Sequence, residues 1–373
     1  MSRKLRALPH EDHDDPSLAG RIGSGGIILI LAFSASVGGC TDAADGTGPG
    51  GGGNETAGSG AAAPSSGASM SKTTTSSGGT TSSASGSTGT GAGTGGGAPL
   101  PVDECESPEP EWIFCSGFEE GNKDIWDDYD GNPDQNNLLL EDSGPFGNTG
   151  NHVMRLRVDP GRGGSDLVKV LPSDHDRLYA RWYIRYEPGF DFDAPNHGGG
   201  LFAGSRDLLG QSGNQPSGDD WYTGWVDYDS SLHVPFIYSY YPGMYMDCTD
   251  PQGSCWGDHF PCMVDDGQTY CTNPAHQETT MPPTLQAGQW YCVELMLDGG
   301  APTPSAAGAS GALNLSVDGV PYGPWEGLWM RSVAELKINI LWLSLFHHDE
   351  HSVEGVFYDH VVVSTAPIGC LAD

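Results

Sequence analysis

From Trp112 onward the chain breaks into short runs, some alternating and some wholly apolar, separated by clusters of Gly, Pro, Asn and Asp. Runs at 112–118, 137–141, 152–158, 166–171, 178–187, 199–203, 221–228, 234–241, 290–297, 313–318, 336–346 and 356–364 read as strands. No stretch sustains the 3.6-residue period of a long helix. About a dozen short strands with turn residues between them imply an all-β sandwich or jelly roll.

The alternation is clearest in ALNLSVDG, where Leu313, Leu315 and Val317 share one face and Asn314, Ser316 and Asp318 the other. Asp318-Gly319 then turns the chain. The run 336–346 is almost wholly apolar, as expected of a strand covered on both faces. In LYARWYIRYEPGFDF, Ala180, Trp182, Ile184 and Tyr186 make an apolar face, and Tyr179, Arg181, Tyr183 and Arg185 face the other way. An aromatic face interleaved with cations suits the floor of a binding groove better than a plain solvated surface.

The N-terminal hundred residues have another character. Residues 1–39 read as an export signal, with Arg3, Lys4, Arg6 and Arg21 ahead of an apolar run at 27–33. That run is far short of the roughly 18 residues needed to span a bilayer. Val37-Gly38-Gly39-Cys40 resembles a bacterial lipobox, which makes Cys40 the expected acylation site and the bacterial cell envelope the expected location. A plain secretory signal with an incidental Cys40 is the alternative. Residues 40–100 are Gly, Ser, Thr and Ala in long runs, too poor in apolar surface to offset chain entropy, and read as a disordered tether. The segment 101–373 is then one domain, expected to act as a monomer.

Acidic residues number 49 against 16 basic, a net charge of −33, which excludes a nucleic-acid partner and leaves the membrane to the lipid anchor alone. Eight of the basic residues fall between Arg155 and Arg206, one cationic neighbourhood on an acidic body. Beyond Cys40 there are eight cysteines, an even number that on an exported chain reads as disulfides. Local pairs Cys248 with Cys255 and Cys262 with Cys271 would staple a Gly/Pro/Asp-rich insertion. Zinc is disfavoured because no CxxC occurs.

The succession LYARWYIRYEPGFDF, HGGGLFAG, WYTGWVDYD, FIYSYY, GQWYCVEL, LNLSVDG and VFYDHVVVST resembles the concanavalin A-like jelly rolls of polysaccharide lyases of the alginate and glucuronan type. The resemblance covers most of 115–365. It implies a sandwich whose concave sheet forms a glycan groove, with active residues on its inner strands. His197 stands where such lyases carry a lysine, and Tyr238 and Tyr240 match a Tyr-x-Tyr pair. A Ser-x-Arg pair appears here as Thr223 and Trp225, so the arginine that would hold a substrate carboxylate is missing.

A lyase acting on a uronate removes the proton next to the carboxyl and expels the glycosidic oxygen, which calls for a base, an acid and a donor to the carboxylate. Tyr238, Tyr240 and His197 are the candidate catalytic residues, with Arg181 in place of the missing cation. Tyr179, Tyr183, Arg185, Trp221, Thr223 and Trp225 would bind the chain. The same aromatics can stack on sugars without catalysis, so a carbohydrate-binding, structural or adhesion module stays open beside the lyase. A hydrolase needs two carboxylates roughly 5–9.5 Å apart; Asp227 and Asp229 share a strand face, but the glucanase motif is absent. HHDEH at 347–351 reads as a polar loop at a strand exit. No cofactor is required, although Glu119 or Glu120 with Asp359 would suit a structural calcium, since terminal strands of such sandwiches are often neighbours.

Overall fold

The computed structural model describes residues 103–129, 137–160, 163–194, 196–245, 257–262, 280–347 and 354–372. The signal, Cys40, the tether and the proposed pairs Cys248–Cys255 and Cys262–Cys271 involve residues outside these segments, although Cys262 is disulfide-bonded. In chain order the strands are β1 (Trp112–Ser116), β2 (Asp128–Tyr129), β3 (Asn137–Asp142), β4 (Asn151–Val158), β5 (Gly163–His175), β6 (Arg177–Tyr186), β7 (Asn196–His197) and β8 (Gly199–Gly204). They continue with β9 (Trp221–Tyr228), β10 (Pro235–Ser239), β11 (Asp258–Phe260), β12 (Trp290–Asp298), β13 (Gly311–Val317), β14 (Val320–Leu328), β15 (Ile338–His347) and β16 (Glu354–Ser364).

These strands form two antiparallel sheets. Sheet A runs β14-β13-β12-β6-β16-β4-β3 with β1 also on β16, and sheet B runs β11-β10-β9-β8-β15-β5-β2 with β7 also on β15. The jelly-roll sandwich expected from the strand pattern is the fold observed. Its core is what the alternation dictates: Leu178, Ala180, Trp182, Leu295, Leu313 and Leu315 of sheet A bury against Leu201, Ile237, Leu341 and Leu343 of sheet B. The apolar run 336–346 becomes β15, a central strand flanked by β8 and β5.

The Asp318-Gly319 turn joins β13 to β14 with φ of 50° and 76°, the two positive values a tight hairpin requires. The strand that follows, β14, was not legible in the sequence because Pro321, Gly323, Pro324 and Gly327 read as turn. It is tolerated because β14 lies at the edge of sheet A. β16 is divided by a register shift between Asp359 and Val362, where His360 takes a φ of 47°. Its first half pairs with β4 and its second with β1.

The glycines of HGGGLFAG are required by close backbone approach. A Cβ at Gly198, Gly199 or Gly200 would lie 2.1 Å from the carbonyl oxygen of Val226, Trp342 or Gly224 respectively. Gly200→Ala is therefore expected to cost at least about 1–3 kcal/mol, the usual penalty of overpacking, read as a lowered melting midpoint by circular dichroism.

Candidate functional site

Which face of each sheet is outermost follows from what touches the core. A Cβ at Gly224 would meet Leu313 at 3.2 Å, Ile237 at 3.6 Å and Leu295 at 3.7 Å, so Gly224 points toward sheet A. By alternation Trp221, Thr223, Trp225 and Asp227 of β9 point outward. Tyr238 sits opposite Trp225 on β10 and His259 opposite Tyr238 on β11, which extends the same outer face.

At the start of β7–β8 the His197 Nδ1 lies 2.8 Å from Asp227 Oδ2, and Asp227 Oδ1 accepts the Gly198 N–H at 2.7 Å. Asp227 is 3% exposed, so the carboxylate is aimed and fixed by these contacts. The His197 ring stacks on Tyr238 with centroids 5.3 Å apart and planes 11° apart. The Tyr238 and Tyr240 hydroxyls are 2.9 Å from each other, and they accept the N–H groups of Gly257 at 3.1 Å and Gly213 at 3.0 Å. One hydroxyl donates to the other across that short contact. Burial pushes the Tyr238 hydroxyl well above its ordinary pKa, reinforced by the neighbouring Tyr240; burial also raises Tyr240 despite the hydrogen bonds it accepts. Both phenols are therefore acids at neutral pH and not bases.

Around this line the floor is aromatic. Trp225 lies 5.9 Å from Tyr240 and 5.2 Å from Trp342, Trp221 lies 5.4 Å from Tyr240, and His259 stacks on Phe236 at 4.4 Å. Burial and the nearby His197 hold the His259 imidazole down to a pKa of about 3, so it is neutral at neutral pH. The Trp225 indole N–H is buried without a hydrogen-bond partner. Thr223 is committed to structure, its hydroxyl donating to the Leu201 carbonyl at 3.0 Å.

The structure thus brings His197, Tyr238, Tyr240, Trp221 and Trp225 together, and it places Tyr179, Arg181, Tyr183 and Arg185 elsewhere. These four lie on β6 in sheet A, and because Ala180 and Trp182 are in the core they face away from sheet B. Arg181 does not stand beside the tyrosines. It is 1% exposed and grips Glu104 through Nη1–Oε1 at 2.7 Å and Nη2–Oε2 at 2.6 Å, with Nη1 also donating to the His360 carbonyl at 2.8 Å. Tyr183 accepts the Leu371 N–H at 2.8 Å, and Arg185 pairs with Asp142 at 2.8 Å between the rings of Trp290 and Phe357. The cationic face serves to dock the two ends of the domain, which the disulfides Cys105–Cys115 and Cys292–Cys370 also pin.

Asp227 as the partner of His197, and His259, were not read from the sequence as site residues. Asp227 had a signal, its place on the Trp225 face two residues on; His259 had none, lying in a three-residue strand inside the Cys-rich insertion. Asp229 closes the β9–β10 turn by accepting the N–H groups of Ser231 at 2.9 Å and Leu232 at 2.8 Å, so it makes no carboxylate pair with Asp227. His347 ends β15 and lies 3.2 Å from Glu354; 348–351 are outside the described residues.

The calcium expectation finds no ligand set. Among the described residues no group of three or more His, Cys, Asp or Glu is placed to hold a metal. Glu119 accepts the His152 N–H at 2.8 Å and faces its Nδ1 at 3.1 Å, while Asp359 accepts from Asn151 Nδ2 at 2.9 Å and from the His360 N–H at 2.7 Å. Burial raises the Asp359 pKa to about 7. In the unfolded chain this carboxyl ionises at its ordinary value, so folding stability falls as pH rises from about 4 toward 7, by up to about 1.4 kcal/mol per pH unit for one proton. Asp359→Asn is expected to flatten that slope in melts run from pH 4 to pH 8.

No protein-family model matches the chain, and no curated protein sequence matches it. Among solved structures the chain is similar to an alginate lyase from a Chlorella virus, at 15% identity over 68% of this chain and 99% of that one, with a TM-score of 0.50. A marine alginate lyase from Aplysia kurodai aligns at 11% identity over 68% of this chain and 99% of that one, with a TM-score of 0.47. The likeness is one of fold: this chain is a jelly-roll β-sandwich of the architecture also found in the viral alginate lyase.

Proposed function

We propose that the outer face of sheet B engages a polysaccharide and cleaves it by β-elimination, with His197 as the base and the Tyr238–Tyr240 pair as the acid. The observation that carries this reading is the continuous line Asp227–His197–Tyr238–Tyr240. Asp227 fixes the imidazole through Nδ1, and Nε2 would be the nitrogen that takes a proton from the ring carbon beside the carboxyl carbon. The electrons of that C–H bond form the ring double bond as the glycosidic C–O bond breaks. The departing oxygen takes a proton from the phenol pair, and the imidazolium returns one through solvent. The fold shared with an alginate lyase supports the same class of substrate.

A second reading rests on a specific observation: Tyr238 is 3% and Tyr240 0% exposed, while the His197 side chain keeps 19%, so sugar contact at the His197 edge without chemistry at the phenols is the alternative. Incubation with a panel of polyuronates, followed by ultraviolet absorbance of the unsaturated product, decides between them. Absorbance growth supports elimination. Silence on the whole panel, with retardation on glycan-containing affinity gels, would leave a binding module. The disulfides Cys105–Cys115 and Cys292–Cys370 also support export to an oxidising compartment.

A further inference from the structure

The chemistry proposed above has a charge requirement, and the charge inventory of the face answers it. Taking the proton beside a free carboxylate builds a second negative charge on the same carbon skeleton, and a cation or strong donor must hold it. The sequence has no Lys or Arg between Arg206 and Arg331, a span that contains all of β9, β10 and β11. Among the described strands of sheet B the single Lys or Arg is Lys169, whose Nζ donates to the Ile125 carbonyl at 2.7 Å and pairs with Asp127 at 3.0 Å. Arg206 follows the far end of β8: the strand runs from the His197 end to Gly204, and at about 3.3 Å per residue this puts Arg206 more than roughly 20 Å along the chain from His197. Arg177, Arg181 and Arg185, all on sheet A, are bound to Asp298, Glu104 and Asp142.

The described groups around the reacting position are neutral or negative. Asp227 is 2.8 Å from the base, the two tyrosines are protonated, and His259 is uncharged. A carboxylate brought here meets the negative charge of Asp227 and, among the described residues of these strands, no Lys or Arg, on a chain of net charge −33.

We infer that the face takes a uronate whose carboxyl is esterified, and this rests on the elimination reading above. An ester arrives uncharged and its neighbouring C–H is the more acidic. One negative charge then develops on the carbonyl oxygen where a free acid would develop two, and it develops as His197 becomes positive.

The test compares one polyuronate in two forms, fully methyl-esterified and fully de-esterified, with the whole chain as enzyme. The esterified form is expected to be cleaved at least tenfold faster. Equal or faster cleavage of the free acid overturns the inference and leaves the elimination reading standing; cleavage of neither removes both. Binding gives a second readout that does not depend on turnover. His197→Ala protein titrated with oligomers of each form is expected to prefer the ester at least tenfold, with little change between low and high salt. Free-acid binding that is tighter and weakens with salt would reveal a cation at the site and overturn the inference.

Discussion

His197→Ala is expected to lower the rate of β-elimination by about 10²–10⁴-fold, the range lost with a positioned acid or base, and to lower the melting midpoint by a few degrees, because Asp227 is 3% exposed and loses a partner. The effect belongs to kcat, because the imidazole acts in the transition state and contributes little to holding the sugar. Asp227→Asn is expected to fall in the same direction by less. It keeps the shape but removes the charge that favours the Nδ1–H tautomer and that stabilises the imidazolium as it forms. If His197→Ala cleaved the polymer at the parental rate, the base would have to be sought elsewhere. If the variant also lost its fold, Tyr238→Phe separates the cases, since it deletes one hydroxyl of the acid pair and keeps the ring that stacks on His197.

Glu104→Ala should cost about 3–5 kcal/mol, the usual loss when one partner of a buried ion pair is removed, or about 6–20 °C in melting midpoint for a domain of this size. Arg181 is 1% exposed and Glu104 6%, so the stranded guanidinium has no water to turn to. Burial by itself would raise the Glu104 carboxyl, but the hydrogen bonds from His360 and Arg181 outweigh it and the net shift is downward. A lowered carboxyl stabilises the fold above its unfolded value and loses that contribution as pH falls through the folded one. The gap in midpoint between parent and variant should therefore be widest near neutrality and shrink below about pH 4. A gap independent of pH would mean that Glu104 acts by packing alone.

The same residue shows where sequence reading stopped. Period-2 alternation correctly grouped Tyr179, Arg181, Tyr183 and Arg185 on one face, and all twelve strand runs of the sequence overlap observed strands. Alternation carries no sign, however. It separates two faces of a strand without saying which sheet the strand joins or what covers the polar side. Arg181 was assigned to the groove because its face was aromatic and cationic; the composition instead suited a docking surface for Glu104 and the C-terminal segment at Leu371. The pairing of His197 with Asp227 depends on β8 lying against β9, with Gly199 opposite Val226, a register no local pattern specifies. His197, Tyr238 and Tyr240 were legible because their positions came through a motif resemblance. Their burial was not legible, since it depends on Gly213 and Gly257 closing over the phenols from distant loops.

The Glu104–Arg181 clasp has one more consequence, for how the domain is presented. It fixes Asp103–Ser107 to the outer side of sheet A, with the Cys105–Cys115 bridge as a second rivet. That side is the back of the sandwich, and the His197 face looks the other way across two packed sheets. A pull on the N-terminal strap would be borne by the rivet and the clasp on sheet A, leaving the strands that carry His197, Tyr238 and Tyr240 out of the line of force.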